Sequence, residues 1–397
     1  MTSYFLEQDE KKQNEWEIEA LPFIWGTLDE PRNKGALSDF LPFNLTFDER
    51  TGLLTQKPQA RVEKSLSIAY ELGSVLGSNV DEEGQGRRYA DDFLAFIEGA
   101  LENIEPDKCH VLEIGCGNGY LMSRLAGRVA SVVGIEPGPQ GQLGADRFGL
   151  NIVRGFFPEA LEKRKFSMII LNSVLEHIQD PVNMMRMVSQ YLEPGGVAVI
   201  SVPDESAYVL SNDVSTLFHE HWSFFDETTL KNVMAIADMQ ILNCRKSGFG
   251  ASIYASIAAS DASHPEVLQG VDDAIKLARC YIQKARDNCI ILGDECQKLV
   301  ANGKSLGIYV PARFVNAMVI SKMSNLRVRF FDDDPTLVDT YYPGIPIKIE
   351  SGSALLENPT DSLLIMSRTF GPQLAERLRS QLPERVSVMT VADILDR

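Results

Sequence analysis

The densest group of residues with acid–base chemistry lies between Phe218 and Phe225, where the chain reads Phe-His-Glu-His-Trp-Ser-Phe-Phe. A neutral histidine beside a carboxylate is suited to remove a proton from a substrate near pH 7. We predict that His221, with Glu220 next to it, is such a base. Two alternatives stay open. The segment packs against the edge of a sheet, or His219 and His221 face the same side of a strand and bind a divalent ion.

A second group is the glycine turn Glu113-x-Gly115-x-Gly117-x-Gly119. Glycine adopts positive φ and lets the backbone approach a ligand closely. Apolar strand residues precede the turn and a helical run follows it, an arrangement typical of the carboxyl edge of a parallel sheet. Glu136 stands about twenty residues farther on, where an acidic side chain can accept hydrogen bonds from ribose hydroxyls. The turn therefore predicts a site for an adenosine-containing cofactor.

The elements that position both groups alternate between strand and helix. We predict strands over 111–114, 131–135, 151–154, 166–171 and 197–202, and helices over 120–128, 140–148, 158–163, 181–192 and 225–237. This alternation predicts a parallel, doubly wound α/β sheet. Two last strands, over 239–245 and 253–259, are predicted to be antiparallel.

The length of 397 residues predicts more than one domain. We assign residues 1–86 to a small N-terminal region on the substrate side, 87–262 to a Rossmann-like cofactor domain, and 263–397 to a second α/β domain. A connecting helix is predicted over 267–300. Strands of the second domain are predicted over 305–310, 327–332, 345–349, 362–366 and 386–390.

The composition limits the class of partner. The net charge of −17 argues against nucleic-acid and anionic membrane surfaces. No secretory signal and no apolar run long enough to span a membrane are recognised, so we predict a cytoplasmic protein. The cysteines form no C-x-x-C pair and are predicted to be buried free thiols: Cys109, Cys116, Cys244, Cys280, Cys289 and Cys296.

Four separated motifs, over about residues 107 to 260, resemble class I S-adenosylmethionine (SAM)-dependent methyltransferases. They are the turn from Glu113 to Gly119, Glu136, the strand 166–171 and the run 192–196. The resemblance implies SAM as cofactor, with the turn against its methionine part and Glu113 near its amino-acid portion. Phe156 and Phe157 either pack on adenine or belong to the core. The predicted cofactor residues are Glu113, Gly115, Gly117, Asn118, Gly119, Glu136, Pro137, Phe156, Phe157, Asn172 and Ser173.

The His-Glu-His segment and the second domain resemble the C-methyltransferases that act on nucleotide-linked 4-keto-deoxysugars. The resemblance implies that His221 is the base at the carbon beside the ketone, with Glu220 and His177 as supporting polar groups. Two features depart from that family. Its N-terminal zinc cysteines are missing before Cys109, and Phe218 replaces a tyrosine. We therefore read the chain as a divergent member and predict no metal.

The expected partner is a small molecule, and the resemblance implies that it is a nucleotide sugar. The expected assembly is a monomer or homodimer. Methylation of oxygen or nitrogen on another metabolite is the alternative reaction. A protein that binds SAM without catalysis is the alternative class. The acidic run from Asp332 to Asp334 is expected either to form a solvated turn or to bind a ribose or metal.

Overall fold

The computed structural model describes residues 14–24, 26–33, 35, 37–72, 85–102, 104–260, 267–323 and 326–396. The chain forms two compact units, each built from separated segments. We name them by their main sheets. The seven-stranded unit comprises residues 46–207 and 220–278, and the five-stranded unit comprises 1–45, 208–219 and 279–397. The division into 1–86, 87–262 and 263–397 stays a prediction.

The strands alternate with helices along most of the chain. The strands are β1 (Trp16–Pro22), β2 (Phe40–Phe47), β3 (Leu54–Gln56), β4 (His110–Ile114), β5 (Ser131–Glu136), β6 (Asn151–Arg154), β7 (Phe166–Asn172), β8 (Leu192–Pro203), β9 (Ser223–Phe224), β10 (Met239–Lys246), β11 (Ser252–Ala259), β12 (Leu306–Tyr309), β13 (Val328–Asp332), β14 (Ile349–Ser351), β15 (Ser362–Ile365) and β16 (Ser387–Thr390). The helices are α1 (Ala60–Leu72), α2 (Gln85–Leu101), α3 (Tyr120–Leu125), α4 (Gln140–Phe148), α5 (Pro181–Tyr191), α6 (Ser206–Ser211), α7 (Glu227–Ile236), α8 (Val271–Leu299), α9 (Val315–Ile320), α10 (Gly352–Glu357), α11 (Gly371–Gln381) and α12 (Ala392–Leu395).

The seven-stranded sheet has the order β10-β11-β8-β7-β4-β5-β6. Strands β8, β7, β4, β5 and β6 run parallel, and β11 is antiparallel to both of its neighbours. This confirms the predicted doubly wound α/β fold and its antiparallel last two strands. Because β4 is followed by β5 on one side and paired with β7 on the other, the strand order reverses at β4. Ligands of open α/β sheets bind at the carboxyl ends of the strands at such a point.

Local sequence explains most of the element boundaries in this unit. Helix α7 begins after Asp226, whose side chain accepts from the Thr229 N–H while the Thr229 hydroxyl accepts from the Asp226 N–H in return.

The helix predicted over 158–163 is wrong, because this stretch forms turns. Its short-range bonds run from Ala160 N to Phe156 O and from Leu161 N to Pro158 O. Ala160 and Leu161 pack against the core of the seven-stranded unit through these turns, without a continuous helical hydrogen-bond ladder.

The five-stranded sheet is parallel throughout and has the order β14-β13-β12-β15-β16. This confirms a second α/β sheet in the C-terminal part of the chain. The strand predicted over 345–349 starts late, at Ile349, because Pro343 and Pro346 lack the N–H that a sheet ladder requires. The connecting helix predicted over 267–300 is α8.

The six cysteines all lie within the described residues and are free thiols. Cys244 is half-buried and Cys280 is exposed, so the prediction of uniformly buried thiols is wrong for these two. Cys280 lies on α8 and faces solvent there. Among the helices of the described residues, none has the length and apolar character needed to cross a membrane.

Candidate active site

The turn between β4 and α3 has the backbone that its glycines predict. Gly115, Gly117 and Gly119 have φ of 67°, 54° and 73°. A Cβ at Gly115 would lie 2.7 Å from Val174 Cγ2, whereas a Cβ at Gly117 would meet no described atom within 4 Å. Gly115 is therefore required by packing, and Gly117 presents bare backbone to open space. This fits a turn against which a ligand lies.

The Glu136 carboxylate lies directly at this turn. Its Oε2 accepts from the Gly117 N–H at 2.9 Å, and its Oε1 accepts from the Gly138 N–H at 2.8 Å and from Gln140 Nε2 at 2.9 Å. Burial raises the pKa of Glu136, while the two backbone N–H groups lower it. The structure thus brings together the two parts of the site that were predicted from separate motifs.

Glu113 is almost wholly buried in the strand that leads into the turn. Burial raises the pKa of its carboxyl group to about 8, against the opposing effect of a hydrogen bond from the Met122 backbone. Within the described residues its Oε2 has no hydrogen-bond partner. One side of the carboxyl group is thus held by a hydrogen bond from α3, and the oxygen on the other side can accept a further hydrogen bond.

Asn118 connects the turn to two helices. Its Oδ1 accepts from the Tyr120 N–H at 3.2 Å at the start of α3. A Cβ at Gly144 would lie 2.0 Å from the Asn118 carbonyl oxygen, so α4 approaches the turn more closely than any other residue type would allow. Gly144 was not predicted as a site residue, although a glycine inside a helix is the signal that marks such close approach.

The two phenylalanines after β6 differ in their burial. Phe157 packs against the core of the seven-stranded unit, with its ring centroid 5.0 Å from that of Tyr191. Phe156 is 58% exposed, so the core alternative is wrong for this residue. Pro137 is half-buried directly after Glu136.

Asn172 and Ser173 lie at the carboxyl end of β7, as predicted. Asn172 is its last residue and is half-buried. Ser173 has a φ of 53°, and its N–H donates to Ser201 O at 2.9 Å. Positive φ in a non-glycine residue is uncommon and turns the chain sharply at this edge of the sheet.

His177 and His221 come together a few residues beyond that edge. Their ring centroids lie 5.2 Å apart, with 69° between the ring planes. His177 Nδ1 lies 2.9 Å from the Glu220 carbonyl oxygen, which can only accept, so Nδ1 carries the proton and Nε2 is left as an acceptor. The Glu220 carboxylate lies 3.7 Å from the same Nδ1. All three predicted acid–base residues therefore belong to one cluster.

Burial holds this cluster in its neutral forms. It lowers the pKa of His177 to about 4 and, together with the neighbouring His177, that of His221 to about 3. It raises the pKa of Glu220 to about 7 and that of Glu176 to about 8. Both imidazoles are consequently unprotonated at neutral pH.

Four further residues of the cluster were not predicted from the sequence. Glu176 Oε1 lies 3.9 Å from His177 Nε2, and Glu205 Oε1 lies 4.0 Å from His221 Nδ1. Gln56 Nε2 donates to His221 O at 3.3 Å. The ring of Tyr70 stands edge-on to His177 at 6.5 Å between centroids.

Tyr70 also relates the cluster to the cofactor turn. Burial raises its pKa well above the ordinary value, and the charges of Glu220, Glu176 and Glu136 raise it further. The phenol therefore stays protonated and lies within electrostatic reach of both sets of residues. The Leu-Glu-His-Ile run could have indicated Glu176, because it is adjacent to His177. Tyr70 and Gln56 are separated from the histidines by more than a hundred residues.

His219 does not belong to this cluster. It is buried in the five-stranded unit, where its Nε2 lies 3.2 Å from Leu41 O. The centroid of its ring lies 5.6 Å from that of Phe23 and 5.5 Å from that of Phe43. Residues 219 and 220 form a turn, so the prediction that His219 and His221 share one side of a strand is wrong. The packing alternative describes His219.

Among the described residues, Glu176, His177 and His221 form a group that could hold a metal ion. One ligand atom from each lies within 4.8 Å of the other two. This set differs from the pair that the sequence suggested, because Glu176 replaces His219.

The acidic run after β13 forms a turn with its own partners. Asp333 accepts from Tyr309 Oη at 2.5 Å and pairs with Arg377 at 2.7 Å. The Asp334 carboxylate accepts from the Thr336 N–H at 2.8 Å. These contacts agree with a structured turn at the end of β13.

Comparison with known proteins assigns the part of the chain that carries the glycine turn. Residues 82–243 match a family described as a methyltransferase domain. The match covers about two fifths of the chain and includes the glycine turn, Glu136 and both histidines of the cluster. At the level of this domain, the match confirms the predicted class of enzyme, a SAM-dependent methyltransferase, and the predicted cofactor.

Curated relatives share the same region. The chain is 33% identical over 121 residues to a ubiquinone biosynthesis O-methyltransferase of Roseobacter denitrificans, covering 28% of this chain and 49% of the relative. It is 34% identical over 98 residues to the enzyme of that name from Ruegeria pomeroyi, covering 23% and 40%. The chain thus spans less than half the length of either relative.

Solved structures of methyltransferases also resemble the chain. One is a SAM-dependent methyltransferase from Clostridium acetobutylicum, with 13% identity, a TM-score of 0.38, and coverage of 50% of this chain and 99% of that one. Another is the 1,6-didemethyltoxoflavin-N1-methyltransferase of Burkholderia thailandensis, with 15% identity, a TM-score of 0.41, and coverage of 58% and 100%.

Proposed function

We propose that this protein is a SAM-dependent methyltransferase that forms a carbon–carbon bond on a nucleotide-linked keto-deoxysugar. The observation that carries the proposal is the half-buried pair of neutral imidazoles, His177 and His221, among carboxyl groups at the carboxyl edge of the sheet. A carbon acceptor needs a base to remove the proton beside its ketone, whereas an oxygen or nitrogen acceptor needs less help. The resemblance of the His-Glu-His segment supports the sugar as acceptor.

The chain's residues have the following roles in this proposal. The glycine turn, Glu113 and Glu136 hold SAM, which supplies an electrophilic methyl group when bound. His221 takes the proton from the carbon beside the ketone, and the electron pair of that C–H bond forms an enolate. Glu220 and His177 keep polar groups next to the developing charge. With SAM bound, the enolate carbon would take the methyl group, the methyl–sulfur bond would break, and S-adenosylhomocysteine would leave.

The proposed base is tested by exchange of substrate hydrogen with deuterium oxide. With nucleotide-linked 4-keto-deoxysugars as acceptors, wild type is expected to introduce deuterium at the carbon beside the ketone. His221→Ala should exchange about 10²- to 10⁴-fold more slowly, the usual range for loss of a general base. His110→Ala is the matched control, because His110 is an exposed histidine that contacts Ser131. Exchange by His221→Ala at the wild-type rate would rule out His221.

Methylation of oxygen on a smaller metabolite is the second candidate. The names of the curated relatives, which are ubiquinone biosynthesis O-methyltransferases, favour it. NMR of the purified product decides between the two reactions, because a methyl group on carbon and one on oxygen differ widely in ¹³C chemical shift. A methyl ether as product would overturn C-methylation while leaving the SAM site intact.

A protein that binds SAM without turnover is the third candidate. Calorimetry with SAM separates it from the enzymes, since binding without methylation of any keto sugar or phenol would favour it. Elemental analysis of the same sample tests the predicted lack of a metal. One equivalent of a divalent ion that is lost in His177→Gln would overturn that prediction.

A further inference from the structure

Two histidines and three carboxyl groups share the buried cluster, so the identity of each histidine's partner matters for the chemistry. The sequence suggests that Glu220 serves His221, because the two residues are adjacent. The distances give a different pairing. Glu220 faces His177 through both its carbonyl oxygen and its carboxylate, at 2.9 and 3.7 Å from Nδ1.

His221 faces Glu205 instead. Glu205 Oε1 lies 4.0 Å from His221 Nδ1, and the Glu205 side chain is 5% exposed. The backbone around the pair is held from both sides, because the Glu205 N–H donates to Phe225 O at 2.8 Å and Gln56 Nε2 donates to His221 O. Glu205 lies two residues after the end of β8, at the carboxyl edge where the cofactor turn also lies.

We propose that Glu205 is the positioning carboxylate of His221: it holds the proton on Nδ1, so that Nε2 is the unprotonated nitrogen that acts as the base. A base whose orientation and tautomer are held by a third group is the recurring design of such sites. Catalytic hydrogen bonds are often long before substrate binds and shorten afterwards. The proposal rests on the proposed role of His221 in proton removal.

The remaining ionisable groups near His221 do not take this position. His177 is a neutral ring whose Nδ1 proton already has the Glu220 carbonyl as acceptor. Glu176 lies 3.9 Å from His177 Nε2 and belongs to that ring. Proton transfer converts His221 to an imidazolium. Burial disfavours this charged form, because it lowers the pKa of His221 to about 3. The Glu205 carboxyl group, 4.0 Å from Nδ1, is the acceptor placed to stabilise it.

The test is NMR of protein labelled with nitrogen-15 in its five histidines. The two ring nitrogens report which one carries the proton, and His221→Gln and His177→Gln assign the signals. We expect His221 as the Nδ1–H tautomer in wild type and in Glu205→Gln, whose amide oxygen still accepts. Glu205→Leu should give a mixed or Nε2–H signal, and Glu205→Ala repeats the test where the leucine variant does not fold.

Glu220→Leu is the matched control and should leave His221 unchanged. His177 is the internal control, since its proton is held by a main-chain carbonyl that every variant retains. An unchanged His221 tautomer in both Glu205→Leu and Glu205→Ala would overturn the assignment. A change of the His221 tautomer in Glu220→Leu alone would assign the positioning role to Glu220 instead.

The same variants separate this inference from the proposed reaction. With a keto-sugar acceptor, Glu205→Leu should lower the exchange rate about 10²- to 10⁴-fold with little change in the KM for SAM. Absence of exchange in wild type would refute the reaction and leave the tautomer result standing. Full exchange in Glu205→Leu, with loss of exchange in His221→Ala, would refute Glu205 alone.

Discussion

Replacement of Glu136 by glutamine tests how the cofactor turn is built. A carboxylate offers about four lone-pair positions. The Gly117 N–H, the Gly138 N–H and Gln140 Nε2 occupy three of them. One position is left for a ribose hydroxyl, and release of Gln140 would provide a second. In Glu136→Gln, an NH₂ group replaces one of the acceptor oxygens and points at a backbone N–H.

The expected loss follows from these contacts. A hydrogen bond to a charged group contributes about 1.5 to 3 kcal/mol, so the loss of one ribose contact weakens SAM binding about 10- to 150-fold. Displacement of the Gly117 N–H from its acceptor would add to this by loosening the turn. Isothermal titration calorimetry with SAM measures the change in Kd directly.

Gln140→Ala is the control for Glu136→Gln. It removes one neighbour of the Glu136 carboxylate but leaves both acceptor oxygens, so its Kd for SAM should stay within about threefold of wild type. Thermal melting of both variants shows whether the fold is kept. A folded Glu136→Gln protein that binds SAM as tightly as wild type would refute the assignment of Glu136 to the ribose.

Three further predictions concern the cofactor turn and the histidine cluster. Gly144→Ala places a Cβ 2.0 Å from Asn118 O and should lower the free energy of unfolding by about 1 to 3 kcal/mol while weakening SAM binding; equal stability would contradict the close approach. Burial raises the pKa of Glu176 from 4.5 to about 8, so the unfolded chain loses this proton first and stability falls as pH rises between these values. Glu176→Gln should therefore gain stability relative to wild type from pH 5 to pH 8 in urea unfolding, and a relative loss would contradict it. Dialysis against a chelator should leave methyl transfer unchanged; loss of activity that one divalent ion restores would assign that ion to Glu176, His177 and His221.

Predictions that depend on neighbouring residues agree well with the structure. The glycine turn, its strand and its helix form one continuous segment from His110 to Leu125, and the Asp226 cap acts on a residue three positions away. Propensity, capping and glycine conformations act over such distances, so a pattern along the chain suffices to predict them. The helix predicted over 158–163 is wrong, because Ala160 and Leu161 reach the core through turns instead.

The cofactor turn and the sheet that carries it were therefore determined by the sequence alone, since both are repeated local patterns. The carboxylate partner of His221 was decided only by the tertiary structure. Adjacency in sequence pointed to Glu220, but the turn at residues 219 and 220 directs His219 to the Leu41 carbonyl and Glu220 to His177. Which side chains meet in such a cluster depends on the packing of distant segments, and Tyr70 and Glu205 reach the histidines only once the chain has folded.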